Sequence, residues 1–291
     1  MIKLNLDVAL EYTVNAPSAD FIFYIHAANT SHQRVVSEYL TVEPPSAIWE
    51  IQTHANVGQR CLRLSAQPGA LSVRYQAAVE IDHHMQSPGD IAEVPIHRIP
   101  QEVLPYIYPS RYCQSDRVAA FANNEFGSIP QGYARAQAIS DWVYKHVKFL
   151  SNSSNATTSA LDTLVERVGV CRDFSHLMIA LCRALNLPAR FATGTDYGAD
   201  PDMGPPDFHA YVEVYLGDRW YMFDPSGMAI PMGMLRLATG RDAADVAFAT
   251  IFGYVSSAQP RIEVTVEQDA SKHWVLPAHT TLALSTAALG D

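Results

Sequence analysis

The chain has 291 residues and a mass of 32.1 kDa, with 48% hydrophobic and 17% charged residues, enough for one large domain or two ordinary ones around a buried core. A formal charge of −10, from 20 Lys and Arg against 30 Asp and Glu, repels phosphate backbones and argues against a nucleic-acid partner. No run approaches the roughly 18 apolar residues of a membrane helix, and the first residues alternate instead of placing an apolar run after a basic one. The expectation is a soluble, cytoplasmic protein with no membrane partner.

In chain order, six stretches rich in Val, Ile, Tyr and Phe come first, at about residues 3–14, 20–27, 34–43, 47–54, 60–65 and 71–81, separated by Pro, Ser, Asn and Gly. Short strands at that spacing predict a β-sandwich. Pro95, Pro100, Pro105 and Pro109 then interrupt the pattern, which reads as a semi-rigid connector and a domain boundary. The division expected is a β-sandwich over residues 1–105 and a second unit over residues 106–291.

Beyond the prolines the period changes. Ala138, Ile139, Trp142, Val143 and Val147 are at helical spacing, a second helix is expected at about residues 158–167, and a third runs from Cys171 to about Leu185, stopped by Asn186 and Pro188. Strands dominate from Arg190 to Phe223, and a further strand is expected at residues 261–266. Helices followed by strands in one unit indicate an α+β fold.

Three residues in this second unit stand in settings that suit chemistry. Cys171 follows a glycine turn and opens a helix, where unpaired N–H groups and partial positive charge favour a thiolate. The competing reading is a buried structural cysteine, which is the expectation for Cys182, placed on the same helix among Met178, Leu181 and Leu185. At 1.5 Å per residue the two cysteines of one helix are about 16 Å apart, too far for a shared disulfide or metal. Four free thiols, Cys61, Cys113, Cys171 and Cys182, are expected. His83 and His84 are sequence neighbours without a ligand cluster, and Asp200, Asp202 and Asp207 read as loop charges.

His209 shares one strand face with Tyr211, Glu213 and Tyr215, opposite an apolar face of Phe208, Ala210, Val212, Val214 and Leu216. Gly217-Asp218 predicts a two-residue type II′ hairpin with Leu216 opposite Arg219. That register sets Asp224 opposite Tyr211 and diagonal to His209, about 7–8 Å away between backbones, within carboxylate reach of the imidazole. A single bulge would reverse the register. Cysteine, histidine and aspartate so arranged are the parts of a thiol nucleophile, its base and the base's orienting group.

At Gly169-Val-Cys-Arg-Asp-Phe-Ser-His, Asp207-Phe-His-Ala-Tyr and Arg219-Trp-Tyr-Met-Phe-Asp-Pro-Ser the chain resembles the bacterial transglutaminase-like cysteine protease superfamily, and residues 1 to about 105 resemble the N-terminal β-domain of bacterial transglutaminases. The resemblance implies a papain-like α+β core, with Cys171 as nucleophile, His209 as base and Asp224 as orienting acid, and no cofactor. It implies thiol-dependent acyl transfer on peptide or protein amides, with hydrolysis preferred. A glutamine transamidase and a non-enzymatic scaffold with a vestigial site are the alternatives. Relatives often carry Asn-Ile-x-Tyr where this chain has His146-Val147-Lys148-Phe149, which removes a hydroxyl.

Overall fold

The computed structural model describes all residues except 16, 46, 55–57, 199–206, 269–273 and 289–291, and, of residues 47–54, the backbone only. The first half is strand: β1 (Ile2–Val14), β2 (Ala19–Phe23), β3 (Gln33–Glu43), β4 (Ala47–His54), β5 (Gln59–Ala66), β6 (Gly69–Ile81) and the short β7 (His84–Gln86). Each of the six expected strands is present, with β2 ending four residues early. The second half alternates: α1 (Ala119–Phe126), α2 (Tyr133–His146), β8 (Lys148–Phe149), α3 (Ala160–Glu166), β9 (Val168–Gly169), α4 (Cys171–Ala184), β10 (Ala189–Asp196), β11 (His209–Leu216), β12 (Arg219–Phe223) and β13 (Met234–Gly240). α5 (Ala243–Val246), β14 (Ala249–Phe252), β15 (Val255–Ser257), β16 (Arg261–Val266) and β17 (Ala283–Ser285) complete it. The fold is α+β, a strand-rich N-terminal part followed by a helix-and-sheet core.

β15, β1, β6 and β3 lie side by side with β16 also on β1, and β14, β2, β5 and β4 form a facing sheet. Alternation explains the pairing. Leu4, Leu6, Val8 and Leu10 of β1 point inward with Phe21 and Phe23 of β2, Leu62 and Leu64 of β5 and Val73 and Tyr75 of β6, one dry cluster between two layers. Residues 249–266, expected in the second unit, thus supply three strands to these first sheets.

The site is carried by a third sheet, ordered β12, β11, β10, β13 and antiparallel throughout. α4 covers one face: Phe174, Leu177, Met178 and Leu181 pack with Ala210, Val212, Val214 and Leu216, the apolar face expected of β11, and Cys182 is in the same core. The opposite face, with His209, Tyr211, Glu213 and Tyr215, is covered as well, because all eight residues of β11 are buried. Tyr211 packs with Met222, Met234 and Leu284, and Tyr215 packs with Trp220, Ile99 and Val103. The proline-rich connector is therefore no free spacer, since it is pinned to β11 and β12 by its apolar residues.

Two side-chain amides lock the sandwich to this sheet. Gln33 accepts from the Arg236 backbone N–H at 2.8 Å and donates to the Arg236 and Ala28 carbonyls at 2.8 and 2.7 Å. Gln59 accepts from the Thr239 N–H at 2.8 Å. β13 thereby has its ladder on one side and the sandwich on the other, and Leu235 and Leu237 reach into the sandwich core.

Candidate active site

The start of α4 is built by a glycine and a buried carboxylate. Gly169 ends β9, which pairs in parallel with β8, and Val170 is extended before the helix begins at Cys171. Asp173 is fully buried, and its Oδ2 accepts the Val170 N–H at 2.9 Å, fastening the first turn and placing negative charge at the positive end of the helix dipole. Arg172 donates through Nε and Nη2 to the other oxygen at 3.2 and 3.0 Å. A Cβ on Gly169 would come within 2.7 Å of the Asp173 Cβ, so only glycine admits the carboxylate here. Cys171 is half-buried, its thiol making a weak contact with the Phe208 carbonyl at 4.0 Å.

The hairpin of β11 and β12 has the expected register, from Leu216 opposite Arg219 to Val212 opposite Phe223. The turn differs. Gly217 and Asp218 have φ values of +54° and +63°, both positive, the signature of type I′ and not of the expected II′. Both types join two strands through two residues, so the register was unaffected by the difference, and Asp224 emerges one position past β12, opposite Tyr211.

Asp224 is held on every side. Its Oδ1 accepts from the Ser226 N–H and hydroxyl at 3.0 and 2.6 Å, and its Oδ2 accepts from the Ala229 N–H at 2.9 Å. That same Oδ2 faces His209 Nε2 at 3.4 Å, a charge contact longer than an ideal hydrogen bond. His209, 5% exposed, begins β11 on the face away from Val212, and the Cys171 thiol lies against the carbonyl of the residue just before it, Phe208. The three expected site residues meet at one end of the third sheet.

One further carboxyl group, that of Asp196, shapes this corner beside Asp224. Burial lifts the Asp224 carboxyl, but the His209 charge and the donors from Ser226 and Ala229 outweigh it and hold the group down to about 2. Burial opposes a charge on His209, yet the Asp224 carboxylate and then the Cys171 thiol more than offset it, so the imidazole pKa is raised. Asp196, the last residue of β10, was not singled out in the sequence, and its Oδ2 lies 3.9 Å from His209 Nδ1. Its pKa is raised, first by burial and then by the negative charge of Asp224, with His209 acting in the opposite sense. Of the loop aspartates, Asp207 accepts the Phe208 N–H at 2.7 Å, while Asp200 and Asp202 lie outside the described residues.

With this geometry in view, residues 119–225 match the transglutaminase-like superfamily, and residues 2–102 match the N-terminal domain of bacterial transglutaminases. A candidate cysteine protease from Cytophaga hutchinsonii is 38% identical and superposes with a TM-score of 0.88 over 98% of this chain and 97% of its own. This chain belongs to the transglutaminase-like superfamily. Uncharacterised proteins of Mycobacterium leprae and Mycobacterium tuberculosis share 28% and 30% identity over 115 and 136 residues. Those stretches are 38% and 43% of this chain and 41% and 43% of theirs, so the match spans about two fifths of the curated relatives' length.

Within this transglutaminase-like chain the departure at Phe149 has a local rationale. The ring is partly buried against the core and lies 6.5 Å from Phe174 on α4, where an aromatic body is used for packing behind that helix. Among the described residues no three His, Cys, Asp or Glu side chains are grouped to hold a metal ion. His83 is buried, and His84 lies beside Gln86 with its Nε2 at 3.4 Å from Oε1. No helix among the described residues is long and apolar enough to cross a membrane.

Proposed function

We propose that the chain is a thiol-dependent acyl-transfer enzyme acting on peptide-like amides, with Cys171 as nucleophile, His209 as base and acid, and Asp224 as the group that orients the imidazole. The observation carrying this reading is the position of His209, with Nε2 facing the hydrogen-bonded Asp224 carboxylate at 3.4 Å and the Cys171 thiol against the adjoining Phe208 carbonyl. With Nε2 so engaged, Nδ1 is the nitrogen left for the thiol.

The steps follow from those positions. Cys171 gives its proton to His209, and the thiolate attacks the amide carbonyl carbon, forming a C–S bond and an oxyanion. The Cys171 N–H at the helix start is the natural donor to that oxyanion. The imidazolium returns its proton to the departing nitrogen as the C–N bond breaks, leaving a thioester and a free amine. Water, deprotonated by His209, then adds to the thioester, and the acid leaves as the thiol is restored. Hydrolysis is preferred over transfer because transfer needs a second site for an amine that keeps water out; the Cytophaga hutchinsonii relative, a candidate cysteine protease, agrees with that preference.

The test is single-turnover reaction with an activated ester, followed by intact mass. An acyl adduct confined to Cys171, absent from Cys171→Ala and discharged by water at least as fast as by added primary amines, is expected. An adduct elsewhere, or full turnover by Cys171→Ala, overturns the assignment. Discharge by amines alone moves the reading to a transamidase.

A further inference from the structure

His209 lies between two buried carboxyl groups. Among the described residues Asp224 is held by donors from Ser226 and Ala229, and its oxygens are fixed whether or not the imidazole is charged, whereas Asp196 is met by its own backbone N–H. Asp196, with a side chain 6% exposed, faces Nδ1 at 3.9 Å. The strand register explains the approach. Gly194 pairs with His209 across β10 and β11, so Asp196, two residues on, is the diagonal neighbour of His209 on the same face, and no side chain at Gly194 separates them.

Among the described residues, the groups around Asp196 offer no second cation. β13 presents Met234 opposite it, the residue after β12 contributes Asp224, and β11 contributes His209. Asp207, at the start of β11, is engaged with the Phe208 N–H. Between Asp196 and His209 the sequence holds Asp200, Asp202 and Asp207 but no Lys or Arg. Among the described residues, the positive charge that acts on the Asp196 carboxylate is the imidazolium, and that is the charge the Cys171 thiolate also needs.

We propose that Asp196 is a positioning residue of the same reaction: its carboxylate competes with the Cys171 thiolate for the Nδ1 proton of His209 and so sets the pH at which the thiolate forms. The proposal rests on the functional reading above and adds its regulation. An anion next to Nδ1 stabilises imidazolium and disfavours a second anion beside it. Removing that anion lowers the pH at which Cys171 ionises and the pH at which His209 loses its proton, and the nearer group, His209, moves further. The raised pKa of Asp196 fits this arrangement, since burial and Asp224 disfavour its ionised form and outweigh His209 and the residue's own backbone N–H, which favour it.

The experiment uses the full chain and two readouts that need no substrate: the pH dependence of Cys171 alkylation by iodoacetamide, and the His209 imidazole titration by NMR. Asp196→Asn keeps the shape and removes the charge. It is expected to shift both midpoints to lower pH, the His209 midpoint by on the order of one pH unit, the scale of a unit charge near 4 Å in a polar setting. A merely structural role would slow alkylation without moving either midpoint, and unmoved midpoints overturn the proposal. If Asp196→Asn does not fold, the wild-type His209 resonances decide. An inflection at acidic pH, reporting a neighbouring carboxyl other than the strongly acidic Asp224, supports competition, and a single-step titration overturns it. The two failures are separable. A Cys171 that alkylates no faster than the other thiols contradicts the functional reading itself, whereas a reactive Cys171 with unmoved midpoints contradicts only the role of Asp196.

Discussion

His209 and Glu213 lie four residues apart on one face of β11, both buried, both in ion pairs, yet their surroundings are opposite. Glu213 is fully buried and met by two guanidinium groups. Arg190 donates from Nε at 2.7 Å, Arg236 Nη1 lies 3.2 Å from Oε1, and Arg190 stacks on the Trp220 ring at 4.2 Å. Burial works against the Glu213 charge and the two arginines overcome it, so its pKa is lowered. His209 has the reverse ratio, one titratable cation between two carboxyl groups and a thiol. Surplus permanent cation fixes charge and holds strands together. A lone cation that can lose its proton, with anions competing for it, leaves charge free to move, which is what proton transfer in acyl chemistry requires.

Four substitutions and one titration would break or sharpen this contrast. The largest effect is expected at the imidazole. His209→Ala should lower the acylation rate by roughly 10²–10⁴-fold, the usual worth of a positioned general base, and Asp224→Asn should lower it less, read in the same single-turnover assay. Loss of rate at Asp224→Asn equal to that at His209→Ala would mean that Asp224 does more than orient. Because Asp224 accepts three protein donors, the asparagine also costs roughly 1–3 kcal/mol of stability, visible in denaturant unfolding.

At the other end of the strand the ranking of stability and rate reverses. Glu213→Gln leaves two buried guanidinium groups short of a counter-charge and should cost roughly 3–5 kcal/mol in unfolding free energy, while the acylation rate of the folded protein stays near wild type. A rate loss comparable to that of Asp224→Asn would show that the two ends are one unit. Gly169→Ala is expected to cost roughly 1–3 kcal/mol, because its Cβ collides with Asp173 and must displace the cap of α4. Retained stability would mean the first turn relaxes easily.

The smallest effect is on stability against pH. Asp224 is depressed in the folded state, so its contribution is present above its unfolded value of 3.8 and lost as pH falls through about 2. His209 is raised, so the stability it carries is present below its unfolded value of 6.5 and lost as pH rises through its higher folded value. The pair therefore contributes fully between about 3.8 and 6.5. Thermal unfolding of wild type against Asp224→Asn should show the largest gap in that window, and a gap independent of pH would count against the ion pair.

How much of this was legible before the structure depended on the distance between partners in sequence. The alternation of β11 and a two-residue turn after Leu216 were enough to set Asp224 beside His209, because a hairpin carries its own register. Cys171 was legible from the Gly-Val-Cys step into an apolar helix. Asp196 was missed because twelve residues, 197–208, separate it from His209, and a connection of that length leaves the pairing of β10 with β11 uncounted. The Gly194–His209 pair is what reveals it. β13 and the return of residues 249–266 to the first sheets were illegible for the same reason, since the partner of β16 is β1 and the amides that grip β13 are Gln33 and Gln59, some two hundred residues upstream. Asp173 left one signal, an acidic residue three positions after Val170 at the helix start, without a Ser or Thr to advertise a cap.

The central claim, that Cys171 is a thiol poised by His209, is tested most directly by competitive alkylation of the four cysteines in the native protein with iodoacetamide near pH 7, resolved by peptide mass. Cys113 and Cys182 are fully buried, and burial pushes the Cys113 thiol up to about 12 and raises Cys182 as well as the nearly buried Cys61. The account predicts that Cys171 is modified first, faster than the other three by tenfold or more, and that His209→Ala removes most of that advantage. Comparable rates at all four cysteines, or a Cys171 rate unchanged by His209→Ala, would contradict it.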